Sequence, residues 1–287
     1  MKNNRRNFLK TLGVAGGSLA FGKRLAASPG KAENKKEFNG ILYDSTRCFG
    51  CQSCEMACAD TYGFPYPEDF PEVGVERKTN TEQRLVLNAF ETSKGEQYMR
   101  SACNHCSSPA CASACLTKAM HKTEEGPVIW RESKCMGCRS CMIACPYNVP
   151  KFEYDSPNPK IQKCRMCYEK LQEGEVPSCV SECPAEALLF GNRRELIEIA
   201  RERIYADPDS YHHEIYGEHE AGGTGVLYLT AVPFEELGLK TDVGTTSYPE
   251  LNKTFLYSVP AVLVLWPAFM LGLRNASDEV KNNLKKS

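Results

Sequence analysis

Apolar positions along this chain fall into short bounded runs, with one long exception near the end. Residues 41–43 (ILY) and 128–130 (VIW) are brief apolar stretches, each leading into a cysteine-rich loop, so a strand-then-loop arrangement repeats inside the chain. RLVLNAF at 84–90, ALLFG at 187–191 and VLYLTAV at 226–232 predict further strands. NRRELIEIARERI follows at 192. Asn192 and Glu195 stand at capping-box spacing, and Leu196, Ile199, Ala200 and Arg203 recur at helical spacing, which predicts a helix; residues 205–225 predict a long loop. The exception is 254–273, a stretch of 20 residues without a charge. A helix of that length rises about 30 Å, enough for one bilayer crossing. Pro260 and Pro267 interrupt it, although proline is tolerated in membrane helices; a buried core helix is the alternative.

The first residues change the picture. Arg5 and Arg6, then Phe8, Leu9 and Lys10 and a weakly apolar run at 11–22, resemble a twin-arginine signal over 1–28, which routes folded proteins across the bacterial inner membrane. A flexible basic tail is the alternative. Arg274, Lys281, Lys285 and Lys286 follow the apolar stretch, and the positive-inside rule leaves such a tail, 274–287, in the cytoplasm. The two ends agree on a periplasmic body with a C-terminal single-pass anchor in the inner membrane.

Composition then narrows the chemistry. The 287 residues are 42% hydrophobic and 25% charged, ordinary for a globular body of one or two domains. Net charge is −1, from 35 basic and 36 acidic residues, so nothing argues for nucleic-acid binding. Sixteen cysteines all lie between Cys48 and Cys183. They form four quartets. Cys48, Cys51, Cys54 and Cys58 follow C-x2-C-x2-C-x3-C, as do Cys135, Cys138, Cys141 and Cys145 before Pro146. Cys103, Cys106, Cys111 and Cys115 widen the middle gap to four residues, and Cys164, Cys167, Cys179 and Cys183 stretch it to eleven. This is the bacterial ferredoxin run, in which three thiolates of a tight loop hold one [4Fe-4S] cluster and the fourth ligates its neighbour, so quartets work in swapped pairs. Structural zinc would use two CxxC pairs, and disulfides among cysteines three residues apart would be strained; both remain alternatives.

Each oxidised cluster with its thiolates carries roughly two negative charges, so basic residues are expected nearby. Between Arg131 and Lys170 there are eight basic residues (Arg131, Lys134, Arg139, Lys151, Lys160, Lys163, Arg165, Lys170) against four acidic (Glu132, Glu153, Asp155, Glu169). An ordinary solvated face is the competing reading. His105 lies inside the second quartet, where four thiolates suffice without it, so a supporting polar role is expected. His212, His213 and His219 predict a solvated turn rather than a metal site, and GGTG at 222–225 predicts a turn rather than a nucleotide loop. No P-loop or catalytic triad is present, so no catalytic residue is expected.

With these quartets, CPYNVPKFEYD after the third and the two terminal signals, the chain resembles the four-cluster ferredoxin-type subunits of membrane-bound oxidoreductases. YDSTRCFGCQSC, CMGCRSCMIACPYNVPK and the late YGEHEAGGTGVLYLTAVPFEELGL make it most similar to the periplasmic iron-sulfur subunit of hydrogenase-2-type uptake hydrogenases. The resemblance implies an α+β fold of two interleaved ferredoxin-like modules plus the single transmembrane helix 254–273. Module one would comprise 41–58 and 150–191 and module two 103–149, with 59–102 an insertion and 192–253 a C-terminal extension. It also implies four [4Fe-4S] clusters, on Cys48, Cys51, Cys54 and Cys183; on Cys164, Cys167, Cys179 and Cys58; on Cys103, Cys106, Cys111 and Cys145; and on Cys135, Cys138, Cys141 and Cys115. The partners implied are hydrogenase small and large subunits, or another catalytic subunit, and an integral membrane quinone-interacting subunit. The same wire could serve a molybdenum-type reductase or a sulfur- or nitrite-linked complex. A reading of another class is an assembly scaffold whose metals only hold the fold.

Overall fold

A computed structural model describes residues 37–284; the signal expected at 1–28 lies outside the described residues. Strand β1 (Asn39–Asp44) is the middle of a three-stranded sheet, antiparallel to β8 (Leu188–Asn192) and parallel to β9 (Val226–Leu229). Successive side chains on a strand face opposite ways. Ile41 and Tyr43 therefore join Leu188, Val226, Tyr228 and several cysteines on one face, while Leu42, Leu227 and Leu229 meet Leu196, Ile197, Ala200 and Ile204 on the other. Covered on both faces, these strands read as unbroken apolar runs, which is why ILY and VLYL show no alternation.

The second face is covered by α6 (Arg193–Ala206), whose Asn192 side chain caps the start by accepting from the Arg194 N–H at 3.0 Å. The buried stripe is Leu196, Ile197, Ala200 and Ile204. Arg203, expected on that stripe, instead reaches the fully buried Asp44 at 2.6 Å. Asp44 also accepts from the Thr46 hydroxyl at 2.6 Å and Tyr211 at 3.1 Å, which pins the end of β1 where the first cysteine loop departs.

Between the first two quartets, residues 59–102 end in a hairpin, β2 (Val86–Thr92) against β3 (Gly95–Ser101), with Leu87 opposite Arg100. It is fastened to α1 (Ser53–Tyr62) through the buried Glu55, which takes Arg77 at 2.5 and 3.1 Å and the Leu87 N–H at 2.5 Å. Two small ladders complete the body: β4 (Met120–Lys122) with β5 (Val128–Trp130), and β6 (Lys151–Phe152) with β7 (Ile161–Gln162). Strand pairing thus ties the segment ahead of the first quartet to the segment after the fourth, through β1 and β8. The segment after the second quartet is tied to the one ahead of the third, through β4 and β5.

The last element is one long helix, Tyr248–Leu284, with Pro260 and Pro267 inside it. Over Tyr248–Asp278 it is long and apolar enough to cross a membrane, and none of its most apolar window is buried against the rest of the protein. A core helix would be.

Candidate metal centre

Each quartet is shaped by the same backbone device. The residue before the second cysteine is left-handed in all four: Gly50 (φ 79°), His105 (48°), Gly137 (73°) and Met166 (55°). That conformation costs a non-glycine residue about 1–2 kcal/mol, so its recurrence marks a loop held in shape for its contents. Three residues past the fourth cysteine it recurs at Lys118, Asn148 and Glu186. Glycine at 50 and 137 was a sequence signal for the first device; His105 and Met166 hid it in the other two loops.

The third cysteine of each quartet lies on a short helix and the fourth one helical turn on, as in α1 with Cys54 and Cys58. The others are α2 (Ala110–Ser113) with Cys111, α3 (Ser140–Ala144) with Cys141, and α5 (Ser178–Ser181) with Cys179. Four residues of helix advance about 6 Å, enough to carry the fourth sulfur away from the pocket of the first three.

The thiols gather across quartets. One cavity is lined by Cys48, Cys51, Cys54 and Cys183, and another by Cys115, Cys135, Cys138 and Cys141. Burial, with Cys103 and Cys145 close by, pushes the Cys106 thiol up to about 12, and the same burial with Cys115 and Cys135 lifts Cys141 to about 11. Cys58 is pushed up by burial and then by Cys164, Cys179 and Cys167. Cys179 rises to about 12 through burial, against the pull of Arg100.

Iron-sulfur clusters fit this donor set better than zinc does. Among the described residues no group of three or more Cys, His, Asp or Glu is drawn together tightly enough to ligate a single metal ion, yet four thiols converge on a common cavity. Such spacing suits a polynuclear core wider than one ion. Four thiolates crowded out of water also need the positive charge that iron supplies. No disulfide links any of the sixteen.

These features meet independent similarity. The 4Fe-4S dicluster domain family matches residues 95–193. A protein of Nitratidesulfovibrio vulgaris is 42% identical over 279 residues, covering 94% of this chain and 75% of its own length. The hydrogenase-2 operon protein HybA of Escherichia coli O157:H7 is 36% identical over 299 residues, covering 88% and 89%. The protein belongs to the ferredoxin-type iron-sulfur subunits of membrane-bound oxidoreductases. Another relative, a subunit of the anaerobic dimethyl sulfoxide reductase of Escherichia coli K12, is 39% identical over 160 residues, covering 55% of this chain and 75% of its own.

As such an iron-sulfur subunit, the chain supports its loops with few polar side chains. His105 is fully buried, and its Nδ1 accepts from the Val128 N–H at 2.9 Å, which makes Nε2 the protonated nitrogen of a neutral ring. Burial and then Lys163 and Lys122 hold its pKa well below the usual range. The histidine supports β5 and the second loop. GGTG is a brace for that loop: Gly225 donates to the Asn104 carbonyl at 2.9 Å, and a Cβ there would meet the His105 carbonyl at 2.9 Å. His212 lies edge-on to Phe234, His213 is exposed beside the Pro208 carbonyl, and His219 is exposed beside Glu218; the three do not converge. Of the eight basic residues between 131 and 170, Lys134, Arg139 and Lys160 are exposed, four are half-buried and Lys163 alone is buried, so only part of that stretch is a solvated face.

Proposed function

We propose that this chain relays electrons through four [4Fe-4S] clusters between a periplasmic catalytic subunit, a nickel-iron hydrogenase, and a quinone-reactive membrane subunit, and is not itself catalytic. The ligand sets are those implied by the swapped pairing. Cys48, Cys51, Cys54 and Cys183 with Cys58, Cys164, Cys167 and Cys179 belong to one ferredoxin-like module; Cys103, Cys106, Cys111 and Cys145 with Cys115, Cys135, Cys138 and Cys141 belong to the other. Each cluster, when bound, supplies one-electron redox chemistry without breaking a bond.

The observation that carries this reading is the gradient of exposure along the thiols. Cys103, Cys111, Cys141, Cys164, Cys167 and Cys179 are buried, Cys138 is exposed, and the other nine, Cys51 among them, are half-buried. Exposed apolar side chains sit beside Cys138 and Cys51, Leu116 (87%), Met136 (63%) and Ile143 (88%) near the one and Phe49 (60%) near the other. A relay needs two accessible ends and an insulated middle, and exposed apolar residues at those ends suit partner docking.

The name of HybA favours a hydrogenase, while similarity to a dimethyl sulfoxide reductase subunit supports a second reading with a molybdenum-type partner. Metal analysis of the complex purified through this chain separates them: nickel in stoichiometric amount is expected, and molybdenum without nickel would select the second. Twin-arginine export with a periplasmic body is tested by replacing Arg5 and Arg6 with lysine. Folded, iron-loaded protein should then stay in the cytoplasm, and normal periplasmic recovery would overturn the assignment.

A further inference from the structure

Two buried cations stand among the thiols with no carboxylate to neutralise them. Arg100, delivered by β3 of the inserted hairpin, is 1% exposed, and none of Nε, Nη1 and Nη2 has a hydrogen-bond partner among the described residues. Its strongest electrostatic neighbours are Cys179, Tyr228, Cys164 and Cys54, with thiols drawn from both sites of the first module. Lys163 is 2% exposed; its Nζ lies 3.6 Å from the Cys103 sulfur and donates to the Cys164 carbonyl at 2.8 Å and to that of Val128. It therefore stands where a site of the second module meets a site of the first. A buried charge is costly unless something opposite and hydrogen-bonding compensates it. Here the groups facing the charges are cysteine sulfurs, the Tyr228 ring beside Arg100 and two backbone carbonyls on Lys163, none of them a carboxylate. The three orphaned guanidinium nitrogens are accounted for if the sulfurs of a bound cluster accept from them.

The site of Cys115, Cys135, Cys138 and Cys141 differs. The arginine lining it, Arg139, is exposed and lies over the Phe152 and Tyr154 rings at 5.3 and 5.5 Å, where water screens its charge.

On the four-site reading above, we infer that Arg100 and Lys163 are redox-tuning positioning residues. As fixed buried cations and N–H donors, they raise the reduction potentials of the three sites they face and leave that of the Cys138 site alone. Reduction adds one electron, and so one negative charge, to a cluster without making or breaking a bond; a cation held nearby favours the reduced form. Net charge and hydrogen bonds to sulfur are the established levers on cluster potential.

The test is a potentiometric titration of the full anaerobically purified chain, followed by electron paramagnetic resonance, for wild type, R100Q and K163Q. The wild-type iron content and number of couples check the four-site reading separately from the tuning. The exposed site is identified as the signal broadened by a soluble paramagnetic ion. R100Q should shift the reduction equilibrium of one or both first-module couples at least tenfold toward the oxidised form, about 59 mV for one electron. K163Q should do the same for the Cys103 couple, and in both variants the broadened signal should keep its midpoint. No tenfold shift in either variant, or all four couples moving together, would overturn the inference. Should either glutamine variant lose iron, R100K or K163R decides, because charge is retained. Wild-type iron with midpoints within threefold of wild type upholds tuning, whereas iron loss or a tenfold shift there makes the residue structural and removes the assignment.

Discussion

The first and third quartets share one spacing, the same left-handed residue before the second cysteine and a helix starting at the same place, yet their surroundings differ. The first is roofed by the 86–101 hairpin: a Cβ on Gly50 would strike the Tyr98 ring at 2.4 Å, and Leu87 lines its cavity. The third has no roof. Among the described residues nothing lies within 4 Å of a Cβ on Gly137, and Cys138 is exposed. The motif settles which sulfurs can meet, while added segments settle how wet, how charged and how accessible the meeting point is.

The largest break in that comparison is predicted at the fastening of the roof. Glu55→Ala leaves the Leu87 N–H without its acceptor and the Arg77 guanidinium with only the Leu87 carbonyl, and breaking a buried pair this way costs about 3–5 kcal/mol. Denaturant unfolding should show that loss. Iron release to a chelator should accelerate at the first site, with the third unaffected.

Next come the paired glycines. Gly137→Ala meets open space and should cost only the left-handed penalty, about 1–2 kcal/mol, whereas Gly50→Ala adds a collision with Tyr98 worth a further ~1–3 kcal/mol. Equal destabilisation of the two in thermal unfolding would mean that the roof does not press on the first loop. Smallest in stability is Ile143→Ser, since a surface change stays within about 0.5 kcal/mol. Its effect should appear instead as weaker co-purification of one of the two partner subunits; unchanged association with both would move the docking surface elsewhere.

How much of this was legible in the sequence depended on range. The quartets, β1, β5, β8, the helix after Asn192 and the long apolar helix all rest on local patterns, and each is present. The return strand GEQYMRS was missed because it carries charge and little alternation; it is held by pairing with β2, and its Arg100 is buried where composition expects exposure. The parallel union of β1 with β9 joins residues 185 apart, Ile41 with Val226, and no local signal announces it. Counting basic residues between 131 and 170 could not separate the buried Lys163 from seven half-buried or exposed neighbours. Arg203 kept helical spacing yet left the stripe, because the buried Asp44 offered a better partner than the core.

A four-step relay stands or falls on the number of clusters the chain holds. The direct measurement is Mössbauer spectroscopy with iron analysis of the anaerobically purified chain, followed by dithionite titration. Four cubane sets, roughly sixteen iron atoms, and visible bleaching that consumes about four electrons per chain are expected. Fewer than four cubanes, or metal that does not bleach, would contradict the relay.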